Sequence, residues 1–241
     1  GWGVGEKHFG GYSQYARVNA DWLIKIPDGL DELDSMIIGS AGYTAMLCVM
    51  AVEELKNKKS KPHILVTGAS GGVGSFSVFI LSKLGFEVTA STGKLNEKDY
   101  LIGLGANRVI NRSELTDNEK PLNKQIWDGV IDSVGSKTLS YALSSTRYGG
   151  IIASTGLAQG PELNTTVFPF ILRAIVLKGI DSVMASKELR DIAWKKLSTL
   201  LDVNTLKKIC KIRTLAEVNQ VATDIVNGQI KGRVVIDVNK V

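Results

Sequence analysis

A glycine-rich turn, Gly68-Ala69-Ser70-Gly71-Gly72-Val73-Gly74, stands between two apolar segments of different period. Before it, residues 63–67 (HILVT) form a short run that reads as a strand. After it, Phe76, Phe79, Ile80 and Leu84 recur near helical spacing, and Gly85 ends the stretch. A glycine turn in that context is the opening of a dinucleotide-binding βαβ unit. Gly68 permits the tight turn out of the strand. Gly71 keeps a Cβ away from a pyrophosphate, and Gly74 lets the helix pack close to the sheet. The free N–H groups and partial positive charge of the helix start then face the diphosphate. Here the spacing is G-x-x-G-x-x-G rather than the commoner G-x-G-x-x-G. Expected cofactor contacts are therefore Ser70, Gly71, Gly72, Val73 and Gly74.

The alternation continues downstream. Strands are expected at residues 87–91, 108–110, 127–134, 150–155 and 177–183, with helices at 74–84, 97–104 and 139–143. Strand and helix in this order make right-handed crossovers, and hence a doubly wound parallel sheet of six strands covered on both faces. Residues 33–55, rich in Ala, Met, Leu and Val, read as one or two buried helices. The flanks differ. Residues 1–30 are glycine-rich with strand-like runs at 12–18 and 22–26, and the C-terminus reads as a helix at 215–227 and a strand at 233–238. Together they are expected to form part of a second, β-rich domain. The boundaries are set at 1–30, 31–204 and 205–241, with the dinucleotide-binding domain in the middle.

The end of the second strand decides between cofactors. An NAD site places an acid there for the ribose 2′-hydroxyl. This chain has Ser91-Thr92-Gly93-Lys94 instead. A hydroxyl, a glycine and a cation suit a 2′-phosphate, so Thr92, Gly93 and Lys94, with Arg108 on the neighbouring strand, point to NADPH. Asp132-Ser133-Val134-Gly135 and Thr155-Gly156-Leu157-Ala158 end later strands, where the nicotinamide half lies in open sheets.

Other chemistries find little support. The two histidines, His8 and His63, and the two cysteines, Cys48 and Cys210, make no metal-ligand pattern. No Gly-x-Ser-x-Gly elbow is present. A net charge of +5 includes the cluster Lys56, Lys58, Lys59 and Lys61, which lacks interleaved aromatics and reads as a solvated loop rather than a nucleic-acid patch. No run is read as reaching the roughly 18 apolar residues of a membrane span, and the first residues do not resemble a signal peptide. Two distant cysteines suit a reducing cytoplasm.

Three of these motifs, Gly68-Ala69-Ser70-Gly71-Gly72-Val73-Gly74-Ser75, Ser91-Thr92-Gly93-Lys94 and Leu104-Gly105-Ala106, resemble the medium-chain dehydrogenase/reductase superfamily. Gly1-Trp2-Gly3-Val4-Gly5-Glu6, Ala45-Met46-Leu47-Cys48-Val49-Met50 and Pro169-Phe170-Ile171-Leu172-Arg173 resemble its zinc-independent acrylyl-CoA reductase branch, long labelled quinone oxidoreductases. The resemblance runs from Gly1 to Asn239. It implies NADPH-dependent hydride transfer to the β-carbon of a 2-enoyl thioester such as acrylyl-CoA, no zinc, and a homodimer. It also implies cofactor contacts at Ser70 to Val73, Thr92 to Lys94, Arg108, Leu157, Arg233 and Asn239. The branch usually has Ser-Gly-Arg where this chain has Thr92-Gly93-Lys94, and Lys lacks the bidentate fork. Members begin with much of a GroES-like catalytic domain, so residues 1–30 and 205–241 are expected to be its remnant, with part of the substrate cleft missing. No proton donor is singled out: Tyr43 and Tyr12 qualify by residue type alone, and core aromatics are the plainer reading. Rival readings are an NADPH-dependent quinone or enone reductase and a non-catalytic NADPH-binding module.

Overall fold

The structure, a computed structural model, describes residues 1–115 and 120–240. It forms two compact units, one of Gly1–Tyr43 with Asp181–Val241 and one of Thr44–Ile180. The expected boundaries at 30/31 and 204/205 are thus each moved. The reason is visible in the first unit, where buried Arg190 packs its guanidinium on the rings of Trp2, 4.0 Å away, and Tyr43, 5.0 Å away.

Helix α1, Glu32–Val52, leaves helical geometry at Gly39 and is prolonged by a short 3-10 turn. By length and composition alone Glu32–Asn57 is apolar enough to cross a membrane, contrary to the expectation from sequence. Its apolar content serves a core instead. Residues Ala45 to Val49 and Val52 are almost wholly buried in the protein.

In the second unit the chain alternates, with one helix, α5, that was not expected: β1 (His63–Val66), α2 (Gly72–Lys83), β2 (Glu87–Thr92), α3 (Lys98–Gly103), β3 (Arg108–Asn111), β4 (Trp127–Asp132), α4 (Ser136–Ser145), β5 (Thr146–Ser154), α5 (Phe168–Arg173) and β6 (Val176–Gly179). All six strands are parallel, in the order β3-β2-β1-β4-β5-β6. Both faces are covered, which is why Ile64, Leu65, Val66, Val130, Ile131 and Ile152 read as apolar runs without alternation. Each such side chain contributes roughly 1.5–3 kcal/mol by leaving water. The order reverses between β1 and β4. At that point the strands part, and their C-terminal ends flank a crevice.

The expected sixth strand, 177–183, is shorter than its apolar run. After Gly179 the chain turns away, and the Asp181 carboxylate accepts the N–H groups of Val183 and Met184 in place of sheet partners.

The first unit carries α6 (Lys187–Leu200), α7 (Val203–Ile209), β7 (Cys210–Thr214), α8 (Val218–Val226) and β8 (Arg233–Asp237). Strands β7 and β8 pair in parallel, Cys210 opposite Arg233 and Thr214 opposite Asp237. The strands expected at 12–18 and 22–26 do not form. A β-prone run becomes a strand only when a neighbour takes its N–H and C=O groups, and no strand lies beside these residues among those described. Helices α6 and α7 were not read from the sequence. Their signals are present, with Ser186 and Asp202 as N-caps and Arg190, Ala193 and Leu197 at helical spacing on the buried face of α6.

Candidate active site

The glycine-rich turn leaves β1 at Thr67 and enters α2 at Gly72. Gly68 has φ +58°, and a Cβ there would stand 2.6 Å from the Ser133 hydroxyl. Both facts demand glycine. A Cβ on Gly74 would collide with the backbone of Gly68 and Ala69, so α2 lies directly against the turn. The N-cap of α2 is Gly71, which has no side chain to satisfy the first-turn N–H groups of Gly72, Val73 and Gly74. These donors are therefore left for an anion.

Thr92 ends β2 and is buried. Its hydroxyl lies 2.9 Å from that of Ser70 and accepts the Lys94 N–H at 3.0 Å. Thr92 and Ser70 thus tie the end of β2 to the glycine-rich turn and shape it from within. Burial lowers the pKa of the Lys94 ammonium. Arg108 sits in register with Thr89, whereas Asn111 sits opposite Thr92. The base of Arg108 is thus three register positions below the strand ends, and its guanidinium lies 3.9 Å from the Glu114 carboxylate. At the level of the strand ends the neighbouring cation is Arg112, whose side chain crosses the face of Gly93.

The far wall of the crevice comes from β4 and β5. Asp132, fully buried at the end of β4, accepts from the Thr67 hydroxyl at 2.7 Å and from the Gly135 N–H at 2.9 Å. Burial pushes its carboxyl pKa up despite these donors. The Ser133 hydroxyl donates to Thr67 O at 3.0 Å. Thr155 N–H bonds Asp132 O, and Gln159 N–H bonds Val134 O. The loops after β4 and β5 are thereby joined backbone to backbone, with Leu157 exposed on the second.

The structure gathers Ser70, Gly71, Gly72, Val73, Gly74, Thr92, Gly93, Lys94 and Leu157 along the C-terminal edge of one sheet. Arg233 and Asn239 belong to the other unit. There the Arg233 guanidinium donates to Ile37 O at 3.1 Å and lies against Gly39, and Asn239 accepts from Gln14 at 3.1 Å. Of the two tyrosines considered as acids, Tyr12 is exposed and Tyr43 is buried, its pKa raised chiefly by burial. Thr67 and Arg112 were missed. Arg112 directly follows the third strand, and that position was the available signal.

Among the described residues no three His, Cys, Asp or Glu side chains come together as metal ligands. Burial pushes the Cys48 thiol up to about 12, far from a metal-binding thiolate.

A family model described as zinc-binding dehydrogenase matches residues 72–199. The chain is 46% identical over 240 residues to acrylyl-CoA reductase AcuI of Ruegeria pomeroyi, covering 99% of this chain and 73% of that protein. The crystal structure of Escherichia coli K-12 YhdH with bound NADPH superposes with a TM-score of 0.96 at 48% identity, over 99% of this chain and 74% of that one. Bacillus subtilis YhfP with NAD bound gives 0.93 at 41% identity, over 98% and 72%. The family's description names zinc, but a zinc site needs three or four clustered donors, and the described residues do not supply them. On the family match and these near-full-length similarities, the chain belongs to the zinc-binding dehydrogenase family of the medium-chain dehydrogenase/reductase superfamily.

Proposed function

We propose that this protein is an NADPH-dependent, zinc-independent reductase of an activated C=C bond, with a 2-enoyl thioester such as acrylyl-CoA as substrate. The observation that carries the reading is the uncapped first turn of α2, at the reversal point of the sheet, beside a β2 end that has cations and no acid. The N–H groups of Gly72 to Gly74 hold the diphosphate, and Gly71 and Gly74 keep side chains out of its way. The residues after Thr92 take the adenosine end. Backbone of the loops after β4 and β5, with Leu157, borders the nicotinamide end. NADPH, when bound, supplies a hydride to the β-carbon, while a proton reaches the α-carbon. Two of the related proteins bear on the reading by name: one is an acrylyl-CoA reductase and one was solved with NADPH.

The reading extends to a homodimer in the cytoplasm. Strand β6 is a sheet edge with Val176 half-exposed, and Ile171 and Leu172 of the preceding α5 are exposed beside it. An apolar edge of this kind is suited to a second copy. Cys48 and Cys210 are free thiols.

The test is a titration of the chain with NADPH and NADH, followed by nicotinamide fluorescence, then NADPH oxidation with acrylyl-CoA and with a quinone. NADPH is expected to bind about tenfold more tightly, or roughly 1.4 kcal/mol, and acrylyl-CoA to be the better oxidant. Faster turnover of the quinone, with no effect of CoA, would move the substrate to the quinone class. Tight NADPH binding with no turnover of either would leave a binding module.

A further inference from the structure

We propose that Gln159 is a positioning residue for the nicotinamide end of the cofactor, because its side chain pins the loop after β5 to the strained start of α4. The inference rests on the dinucleotide reading above and adds to it a residue outside the set that the family resemblance implies. Helix α4 has no cap of its own. Its N-cap is Gly135, at φ +74°, and its first residue, Ser136, has φ +48°. A left-handed conformation at a residue other than glycine persists only where its surroundings hold it. Asp132 holds one side of this turn by accepting the Gly135 N–H at 2.9 Å.

The other side is held from the neighbouring loop. Gln159 Oε1 accepts the Thr138 N–H at 3.2 Å and the Thr138 hydroxyl at 2.9 Å, while the Gln159 N–H donates to Val134 O at 2.8 Å. One residue thus grips the chain both before and after Ser136. Gly160 pairs with Gly135, and a Cβ on Gly135 would stand 2.6 Å from Gly160 O and 3.3 Å from the Leu157 Cα. The two loops therefore touch with no side chain between them. Gly160 N–H closes a turn on Leu157 O at 3.0 Å, and Thr155 ties the start of the loop through its N–H to Asp132 O. Leu157 is exposed at the crest between these ties. The tie at Thr155 is backbone to backbone, whereas the tie to α4 needs the Gln159 amide. The two glycine-capped helices of the crevice are thereby set apart. The first turn of α2 keeps its N–H groups for the diphosphate, and the first turn of α4 is closed by Gln159. One end of the crevice is open to an anion, and the other is a wall fixed before the nicotinamide arrives.

The experiment compares NADPH with 2′-phospho-ADP-ribose, which is the same ligand without its nicotinamide. Both are titrated by calorimetry into the parent chain, Gln159→Ala, Gln159→Glu, Thr138→Val and the double variant Gln159→Ala/Thr138→Val, with thermal melting to confirm folding. The fluorescence of bound NADPH reports the surroundings of its nicotinamide. Gln159→Ala is expected to weaken NADPH about three- to tenfold, because two hydrogen bonds that order the wall are lost, and to move the bound emission toward that of free NADPH. Binding of 2′-phospho-ADP-ribose should change less than about twofold. Gln159→Glu keeps both acceptor contacts at a helix N-terminus and restores affinity and emission. Thr138→Val reproduces the loss, and the double variant adds little to it, since the two residues act as one pair. Equal weakening of both ligands by Gln159→Ala, no change in either, or no recovery in Gln159→Glu would each overturn the assignment while leaving the dinucleotide reading intact. Failure of the parent chain to bind either ligand would remove that reading, and the assignment with it.

Discussion

The hydroxyl of Thr67 donates to Asp132 at 2.7 Å and so joins the ends of β1 and β4, the two strands between which the sheet order reverses. Both residues are almost completely buried. Their bond fixes the width of the crevice floor, since Gly68 on one side meets Ser133 on the other.

Thr67→Val keeps the shape of the side chain and removes the donor. A buried carboxylate that loses a partner costs about 1–3 kcal/mol. The variant is expected to unfold at lower urea by that amount and to bind NADPH more weakly. Equal stability and affinity would show that the remaining donors of Asp132, the Gly135 and Val134 N–H groups and Ser154, hold it without Thr67.

Gly74→Ala tests the approach of α2 to the turn. The methyl meets the backbone of Gly68 and Ala69, which has no flexible end to yield. Overpacking of this kind costs about 1–3 kcal/mol, and the displaced helix start carries the anion-binding N–H groups with it. NADPH affinity measured by fluorescence is expected to fall more than the melting temperature alone accounts for. An unaltered affinity would place the diphosphate elsewhere.

Asp128 makes acid sensitivity specific. Burial pushes its carboxyl up, but Lys59 at 2.8 Å, the His63 N–H at 2.7 Å and Arg147 at 3.1 Å outweigh burial and hold it below the usual range. A depressed folded pKa adds stability that is fully present above the unfolded value of about 3.9 and is lost as pH falls through the folded one. Asp128→Asn is expected to cost about 1 kcal/mol near neutral pH, because the pairs are partly exposed. Urea midpoints of parent and variant should draw together as pH falls below the unfolded value of about 3.9. A constant difference across that range would assign the loss to packing.

The two thiols differ in access. Cys48 is wholly buried, with its thiol pushed up to about 12, whereas Cys210 is only half-buried. A thiol reagent near pH 8 is expected to modify Cys210 slowly and Cys48 only after unfolding. Two reactive thiols in the folded protein would contradict the burial of α1.

The sheet was legible because its signals are local. Strand β1, the glycine-rich turn and α2 follow one another within about twenty residues, and the lack of an acid in Ser91-Thr92-Gly93-Lys94 is read directly from the sequence. Where a partner is remote, the same reading failed. Residues 12–18 have β-prone side chains and, among the described residues, no neighbouring strand, while Cys210–Thr214 pairs with β8 from across α8. Helix α6 escaped notice because Arg190, an ordinary surface residue by type, heads its buried face, with only Ala193 and Leu197 beyond it.

The chain's own order of residues determined that a dinucleotide turn exists and that an acid is missing from the ribose end. Which cation stands level with that end was decided only in three dimensions. Arg108 and Arg112 are equivalent as letters, four residues apart. Strand register sets Arg108 beside Thr89 and carries Arg112 to the level of Gly93, because parallel pairing aligns residues by hydrogen bonds that no local pattern encodes.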